Sequence, residues 1–376
     1  MNVVLIVMDT ARARTTFELF RDNKDKNASH SISDYSQFTQ AFSSAPWTLP
    51  SHASLFTGTT PSKHGAHAGH KQLDNALITL PEVVQREGYE TVAVSNNTWI
   101  SEEFGFGSGF ETFYKTWQYV QSNTDLGRIA RQEEGLDKLT EATKALFDGN
   151  PLTNLTNAIY GQFFRKIDDD GATRSNTWIN NWLTSRDNSR PFFLFINYLE
   201  PHLEYRPLKS HAKEHLPEGI SYEEAMEVSQ DAWGYIAGTV EITDTDFEIL
   251  HALYRAEISY VEEQIEGIVH LLKAENEWEE TLFIITSDHG ENIGDHGLMD
   301  HQYALYDTLL HVPLLINGGP FEKTINDDFI QLLDIAPTVL DVLDIEAPNA
   351  QEQFQGVSFH PDAEDTREFA IAEYRT

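Results

Sequence analysis

Cysteine is missing from all 376 residues. Its absence excludes disulfides, thiolate metal sites and a cysteine nucleophile. Positive charge is scarce: 26 Lys and Arg stand against 60 Asp and Glu, a formal net charge of −34. So acidic a surface repels nucleic acid and anionic membranes, and neither is an expected partner. The acid is spread along the chain without a like-charge block, which favours a halophile's solvated surface over an acidic interaction tail. Long apolar runs are missing too. The first apolar run, 2–8, is too short for a membrane helix or a signal segment, and no basic stretch precedes it. A cytoplasmic protein without a membrane segment is the expectation. There are no internal repeats. What remains is 40% hydrophobic, ordinary for a globular core, and long enough for one large α/β domain.

Three stretches carry chemistry. Asn2–Met8 reads as a strand buried on both faces and ends in Asp9. Thr281–Ser287 is a second such strand and ends in Asp288-His289-Gly290-Glu291. Between them, Ala45–Gly58 reads as a loop feeding a helix, with Pro50 in the first turn and Gly58 as a left-handed C-cap. The Thr48 hydroxyl would lie just ahead of that helix, where free N–H groups and the dipole favour an alkoxide or a bound phosphate or sulfate. In open α/β sheets, ligands bind outside the carboxyl ends of the strands, so Asp9, Thr48, Asp288 and His289 can meet there. Three hard oxygen donors and one imidazole suit a single divalent ion: Mn, Zn, Ca or Mg.

The rest of the chain supplies a frame. Thr79–Gly88 reads as a capped helix and Tyr89–Ser95 as a strand. Gly105–Phe113 reads as an irregular loop. Pro191–Asn197 is a strong central strand, and His202 follows it. Ile249–Ala274 is a long amphipathic helix, Val312–Ile316 a core strand and Ile330–Leu343 a final helix. Leu126–Leu183 is a charge-rich helical insertion with breaks at Gly149-Asn150-Pro151 and Asp168–Gly171. Residues 1–356 then form the catalytic domain and 357–376 a short C-terminal extension. His64, His67 and His70 read as a loop near the entrance, and Asp295-His296 as support behind the ligands.

The segment Thr48-Leu49-Pro50-Ser51-His52-Ala53-Ser54-Leu55-Phe56-Thr57-Gly58 resembles the signature Cys/Ser-x-Pro-Ser-Arg-Ala-x-Leu-x-Thr-Gly of the sulfatase family, within the alkaline-phosphatase superfamily. Thr286–Glu291 is similar to that family's second metal motif. Asn197–His202, His296-Gly297-Leu298, His311–Leu314 and Asp334–Thr338 follow in family order. The resemblance implies a doubly wound, mostly parallel α/β sheet flanked by helices, with the C-terminal subdomain of relatives reduced or absent.

It also implies site residues. His202 matches the family histidine near the leaving group. His301 lies close to the position of a family lysine, and both could donate a proton or contact an anion. His52 stands where the family has arginine, and Asn96 where a Lys-x-His pair often grips sulfate, so both are expected to bind substrate. Thr10 stands where many sulfatases have a second Asp. Thr48 cannot form the formylglycine aldehyde, so none is expected. Threonine nucleophiles belong instead to phosphodiester-acting relatives, the nucleotide pyrophosphatases/phosphodiesterases, phosphoethanolamine transferases and lipoteichoic acid synthase. The leading expectation is a metal-dependent hydrolase of a small-molecule or glycan sulfate or phosphate ester, with Thr48 as nucleophile. The alternatives are a phosphotransferase passing a headgroup to a glycan or lipid acceptor, and a scaffold that has lost catalysis. Substrate identity and oligomeric state are not legible.

Overall fold

A strand that is apolar on both faces must be covered on both sides. In the computed structural model, which describes residues 1–22, 32–118, 121 and 170–375, β1 (Asn2–Met8) is buried throughout and lies in the middle of an eight-stranded sheet. The other strands are β2 (Ser36–Phe42), β3 (Glu90–Ser95), β4 (Thr112–Lys115), β5 (Phe192–Tyr198), β6 (Thr281–Ser287), β9 (His311–Asn317) and β10 (Ile325–Gln331). A separate two-stranded ribbon is formed by β7 (Asn292–Ile293) and β8 (Met299–Asp300). The sheet order is β10-β2-β9-β6-β1-β5-β3-β4. β9 runs antiparallel to both β2 and β6, while the other pairings are parallel. The expected mostly parallel sheet is therefore observed.

Helices cover both faces. α1 (Ala13–Asp22), α4 (Ala172–Ser185) and α5 (Asp244–Ala274) contribute Phe17, Ile179 and Ile258 to one apolar cluster. α2 (Thr48–Thr57), α3 (Leu80–Arg86) and α6 (Ile335–Val342) contribute Leu55, Val83 and Val339 to the other. α5 starts at Asp244, earlier than its apolar stripe suggests. A capping box fixes it there: the Thr243 hydroxyl accepts from the Asp246 N–H, and the Asp246 carboxylate accepts from the Thr243 N–H.

The structure corrects the sequence reading at the sheet's edges. β2, β4 and β10 were not expected. Ile330–Leu343 divides into the end of β10, a 3₁₀ turn (Leu332–Asp334) and α6. The insertion 126–183 lies outside the described residues as far as 169, and its described end holds the start of α4. Residues 357–375 form neither helix nor strand. Arg367 anchors them by donating to both carboxylate oxygens of Asp334, at 2.7 and 2.5 Å. Further on, the Glu373 N–H donates to the Ser44 carbonyl, so this extension reaches the loop that feeds α2. Among the described residues, no helix is long and apolar enough to cross a membrane.

Candidate active site

β1 and β6 are adjacent and in register, Met8 beside Ser287. Their next residues, Asp9 and Asp288, therefore emerge together at the carboxyl edge of the sheet. Both are fully buried. Asp288 Oδ1 accepts the backbone N–H groups of Thr10 (3.2 Å) and His289 (2.8 Å), which fixes the carboxylate plane. Thr10 adopts a left-handed φ of 64°, and its carbonyl accepts from the Tyr254 hydroxyl at 2.7 Å. The other oxygen, Asp288 Oδ2, has no hydrogen-bond partner, and neither does Asp9 Oδ1. Two orphaned carboxylate oxygens in a buried site are costly unless a cation lies between them. Burial, and next the Asp288 charge, push the Asp9 carboxyl well above its usual range.

His289 completes the group. Its Nδ1–H donates to the Gly290 carbonyl at 2.8 Å, leaving Nε2 as the lone-pair nitrogen. Nε2 lies 3.3 Å from Thr48 Oγ1, 3.5 Å from Asp288 Oδ2 and 3.8 Å from Asp9 Oδ1. Burial holds this imidazole neutral, lowering its pKa to about 3. Ligand atoms of Asp9, Asp288 and His289 all fall within 4.8 Å of one another. Orphaned carboxylate oxygens, a neutral imidazole and a hydroxyl are the donor set a divalent cation requires.

α2 delivers the hydroxyl. The helix begins at Thr48 itself, with Trp47 as an N-cap that makes no side-chain cap bond, and closes at Gly58 with φ 63°. Every residue of α2 is buried. Ser51 locks the helix to the end of β6, its hydroxyl donating to the Asp288 carbonyl at 2.6 Å. His52 departs from its expected role as a substrate contact. Its ring is enclosed by Phe56, Phe106 and Phe195 and has no exposure. Nδ1 donates to the Thr48 carbonyl at 2.9 Å and lies 3.5 Å from Asp288 Oδ2.

A second group abuts the first. The ribbon pairs Asn292 with Asp300 and so folds Asp300-His301 back beside Glu291. His301 is buried, its Nδ1 2.8 Å from Asp300 Oδ1 and 3.2 Å from Glu291 Oε1. Burial opposes charge here, but the two carboxylates prevail and hold the imidazole's pKa well above its usual value. The His301 ring centre lies 4.5 Å from that of His289 and 5.1 Å from that of half-buried His202. His202 and His301 thus stand together at one side of the Asp9–Asp288–His289 group.

Asn96 does not join them. Its side-chain oxygen accepts from the Ser175 hydroxyl on α4 at 2.6 Å, so it braces the sheet edge. Its neighbour Asn97, which sequence reasoning passed over, donates Nδ2–H to Asp9 Oδ2 at 2.5 Å. Glu291, Asp300, Ser51 and Tyr254 were missed as well, and the motif adjacency of Glu291 was the available signal. His64 is buried against the Ser54 hydroxyl, while exposed His70 pairs with Asp74. Asp295 bonds Arg12, whose Nε–H donates to the Glu291 carbonyl, so it supports the site from behind.

A family model described as Sulfatase matches residues 1–345. Arylsulfatase K of Bos taurus is 23% identical over 390 residues, covering 96% of this chain and 65% of that protein. An Arylsulfatase of Clostridium perfringens is 24% identical over 373 residues, covering 93% and 76%. The crystal structure of the phosphonate monoester hydrolase of Agrobacterium radiobacter is similar at a TM-score of 0.65 and 18% identity, covering 98% of this chain and 79% of that one. The chain spans 60–65% of the length of the bovine and rat Arylsulfatase K proteins.

Proposed function

The chain belongs to the sulfatase family, and on that premise we propose that it is a metal-dependent hydrolase of phosphate or sulfate esters whose nucleophile is the Thr48 hydroxyl. One observation carries the reading: Thr48 Oγ1 stands 3.3 Å from the lone-pair nitrogen of His289, beside two buried carboxylate oxygens with no partner. A divalent cation held by Asp9, Thr48, Asp288 and His289 would offset their charge, polarise the ester and lower the pKa of the threonine hydroxyl.

The chain's own residues do the rest. Thr48 Oγ, its proton lost to solvent, forms the new bond to phosphorus or sulfur, and the bond to the leaving alcohol breaks. His301, kept protonated by Asp300 and Glu291, gives its proton to the departing oxygen, directly or through His202. Water then gives a proton to the now neutral His301, attacks the Thr48 ester and releases the anion, leaving the Thr48 oxyanion for the next cycle. His52 and Ser51 hold Thr48 and Asp288 in register and do not touch substrate. Threonine favours phosphorus, because water can displace it there, whereas a sulfo-threonine cannot leave by elimination as a formylglycine adduct does. Arylsulfatases and a phosphonate monoester hydrolase among the relatives bracket the same choice.

The test compares nitrophenyl sulfate, nitrophenyl phosphate and a bis-nitrophenyl phosphodiester in molar salt with Mn²⁺. The expected result is cleavage of the diester and a loss of at least about 10³-fold in Thr48→Ala. Sulfate cleavage that survives Thr48→Ala contradicts the nucleophile. Failure to turn over any of the three contradicts the hydrolase.

A further inference from the structure

A cavity of about 610 Å³ opens beside the catalytic group, with His202, Leu203, Glu204, Arg206, Trp233 and Asp300 in its walls. The volume falls within the roughly 300–1,000 Å³ of sites for small organic ligands. Two of these residues touch His301: Asp300 by its 2.8 Å contact, and His202 edge-on at 5.1 Å between ring centres. The cavity therefore adjoins the His202–His301 side of the candidate site, away from Asp9 and Asp288.

Its outer wall is aromatic. Trp233, on the short helix Ala232–Ile236, is 64% exposed, more than most large apolar side chains of the chain. Its indole meets the Tyr303 ring at 5.1 Å and 66°, which fixes its orientation. An isolated exposed apolar residue needs no explanation. This one closes a polar cavity beside the reacting atoms, and an oriented, solvated indole there offers a flat face for a ring to cover.

The charge of the cavity limits what that ring carries. Among the described residues lining it are three carboxylates, Glu204, Asp231 and Asp300, against a single arginine. That arginine, Arg206, is already ion-paired with Glu204. A second sulfate or a uronic acid on the leaving group would meet like charge without a free cation to offset it. Hydroxyl groups, by contrast, donate well to carboxylates.

We propose that this cavity is the leaving-group subsite and that it takes an uncharged sugar ring, whose C–H face covers Trp233 while its hydroxyls reach the wall carboxylates. The assignment rests on the hydrolase reading of the adjoining site, and its test is read without turnover. The probes are methyl α-glucopyranoside, methyl N-acetylglucosaminide and methyl glucuronide, followed by saturation-transfer NMR and tryptophan fluorescence on the Thr48→Ala protein. At least one neutral glycoside is expected to bind, with the glucuronide roughly tenfold weaker. Trp233→Ala should weaken the neutral glycoside roughly tenfold and Trp233→Phe should retain most of the affinity. Melting curves establish that both variants fold.

A glucuronide that binds as tightly as the neutral sugars overturns the charge assignment. No saturation transfer from any glycoside, or an unchanged affinity in Trp233→Ala, overturns the subsite. Either result leaves the nitrophenyl assays intact, whereas a dead Thr48 reaction with sound sugar binding sinks the hydrolase and leaves the cavity a sugar site without a leaving-group role.

Discussion

His289 and His301 stand 4.5 Å apart between ring centres, yet their surroundings drive their protonation in opposite directions. Around His289 one carboxylate oxygen of Asp9 and one of Asp288 are left without a donor, and burial keeps the imidazole neutral, so the group is short of positive charge. Around His301 burial acts the same way but is outweighed, because Asp300 and Glu291 bond its Nδ1 directly. One histidine keeps a free lone pair and its neighbour holds a second proton. Residue type does not decide between these fates. The decisive difference is the partner of Nδ1: a peptide carbonyl for His289 and two carboxylates for His301.

The largest effect should come from removing charge on the ligand side. Asp288→Asn is expected to lose turnover by at least about 10³-fold and to bind no divalent ion by equilibrium dialysis, while the native chain binds one. A count of two ions in the native chain would break the comparison, since it requires the His301 group to load as well. Next comes the donor side. His301→Gln should keep one bound ion and lose about 10²–10⁴-fold in kcat for alkyl esters, with a smaller loss for nitrophenyl esters, whose alcohols need no proton. An equal loss for both leaving groups would show that His301 is not the acid.

His52 sharpens the comparison from behind. His52→Leu should weaken the metal roughly 10–100-fold through loss of its hold on the Thr48 carbonyl and its contact with Asp288, with kcat at saturating metal largely retained. His52→Gln, which keeps a donor, should recover part of that affinity. A change confined to KM for the ester would restore His52 to a substrate contact. The smallest effect per group lies on the surface. With a net charge of −34, raising salt from about 0.1 M to about 1 M shortens the screening length from about 10 to about 3 Å. Far-UV circular dichroism should show the melting midpoint rising over this range, and an identical melt at both salts contradicts a salt-adapted surface.

Much of this site was legible in the sequence because strand ends are easy to locate. Asp9 and Asp288 follow uninterrupted apolar runs, and the β1–β6 register then brings them together. Direction after a strand is harder. Asn96 and Asn97 follow Ser95 equally closely, yet the backbone turns one amide to Ser175 and the other to Asp9. His52 was misread because its neighbours in the aromatic cage come from distant segments, Phe106 and Phe195. The grip of Glu291 and Asp300 on His301 depends on a ribbon only two residues wide, below any periodic signal. At the sheet's rim, β10 reads Ile-Asn-Asp-Asp-Phe-Ile-Gln and is exposed along most of its length, so neither alternation nor apolarity announced a strand.

The proposed mechanism stands on a covalent ester at Thr48. The most direct measurement is peptide mass spectrometry of the Mn²⁺-loaded protein, acid-quenched during turnover of a phosphodiester. A phosphoryl or phosphodiester adduct is expected on the peptide containing Thr48, absent before substrate is added and absent from Asp288→Asn. Sustained turnover with an unmodified Thr48, or an adduct on any other residue, would contradict it.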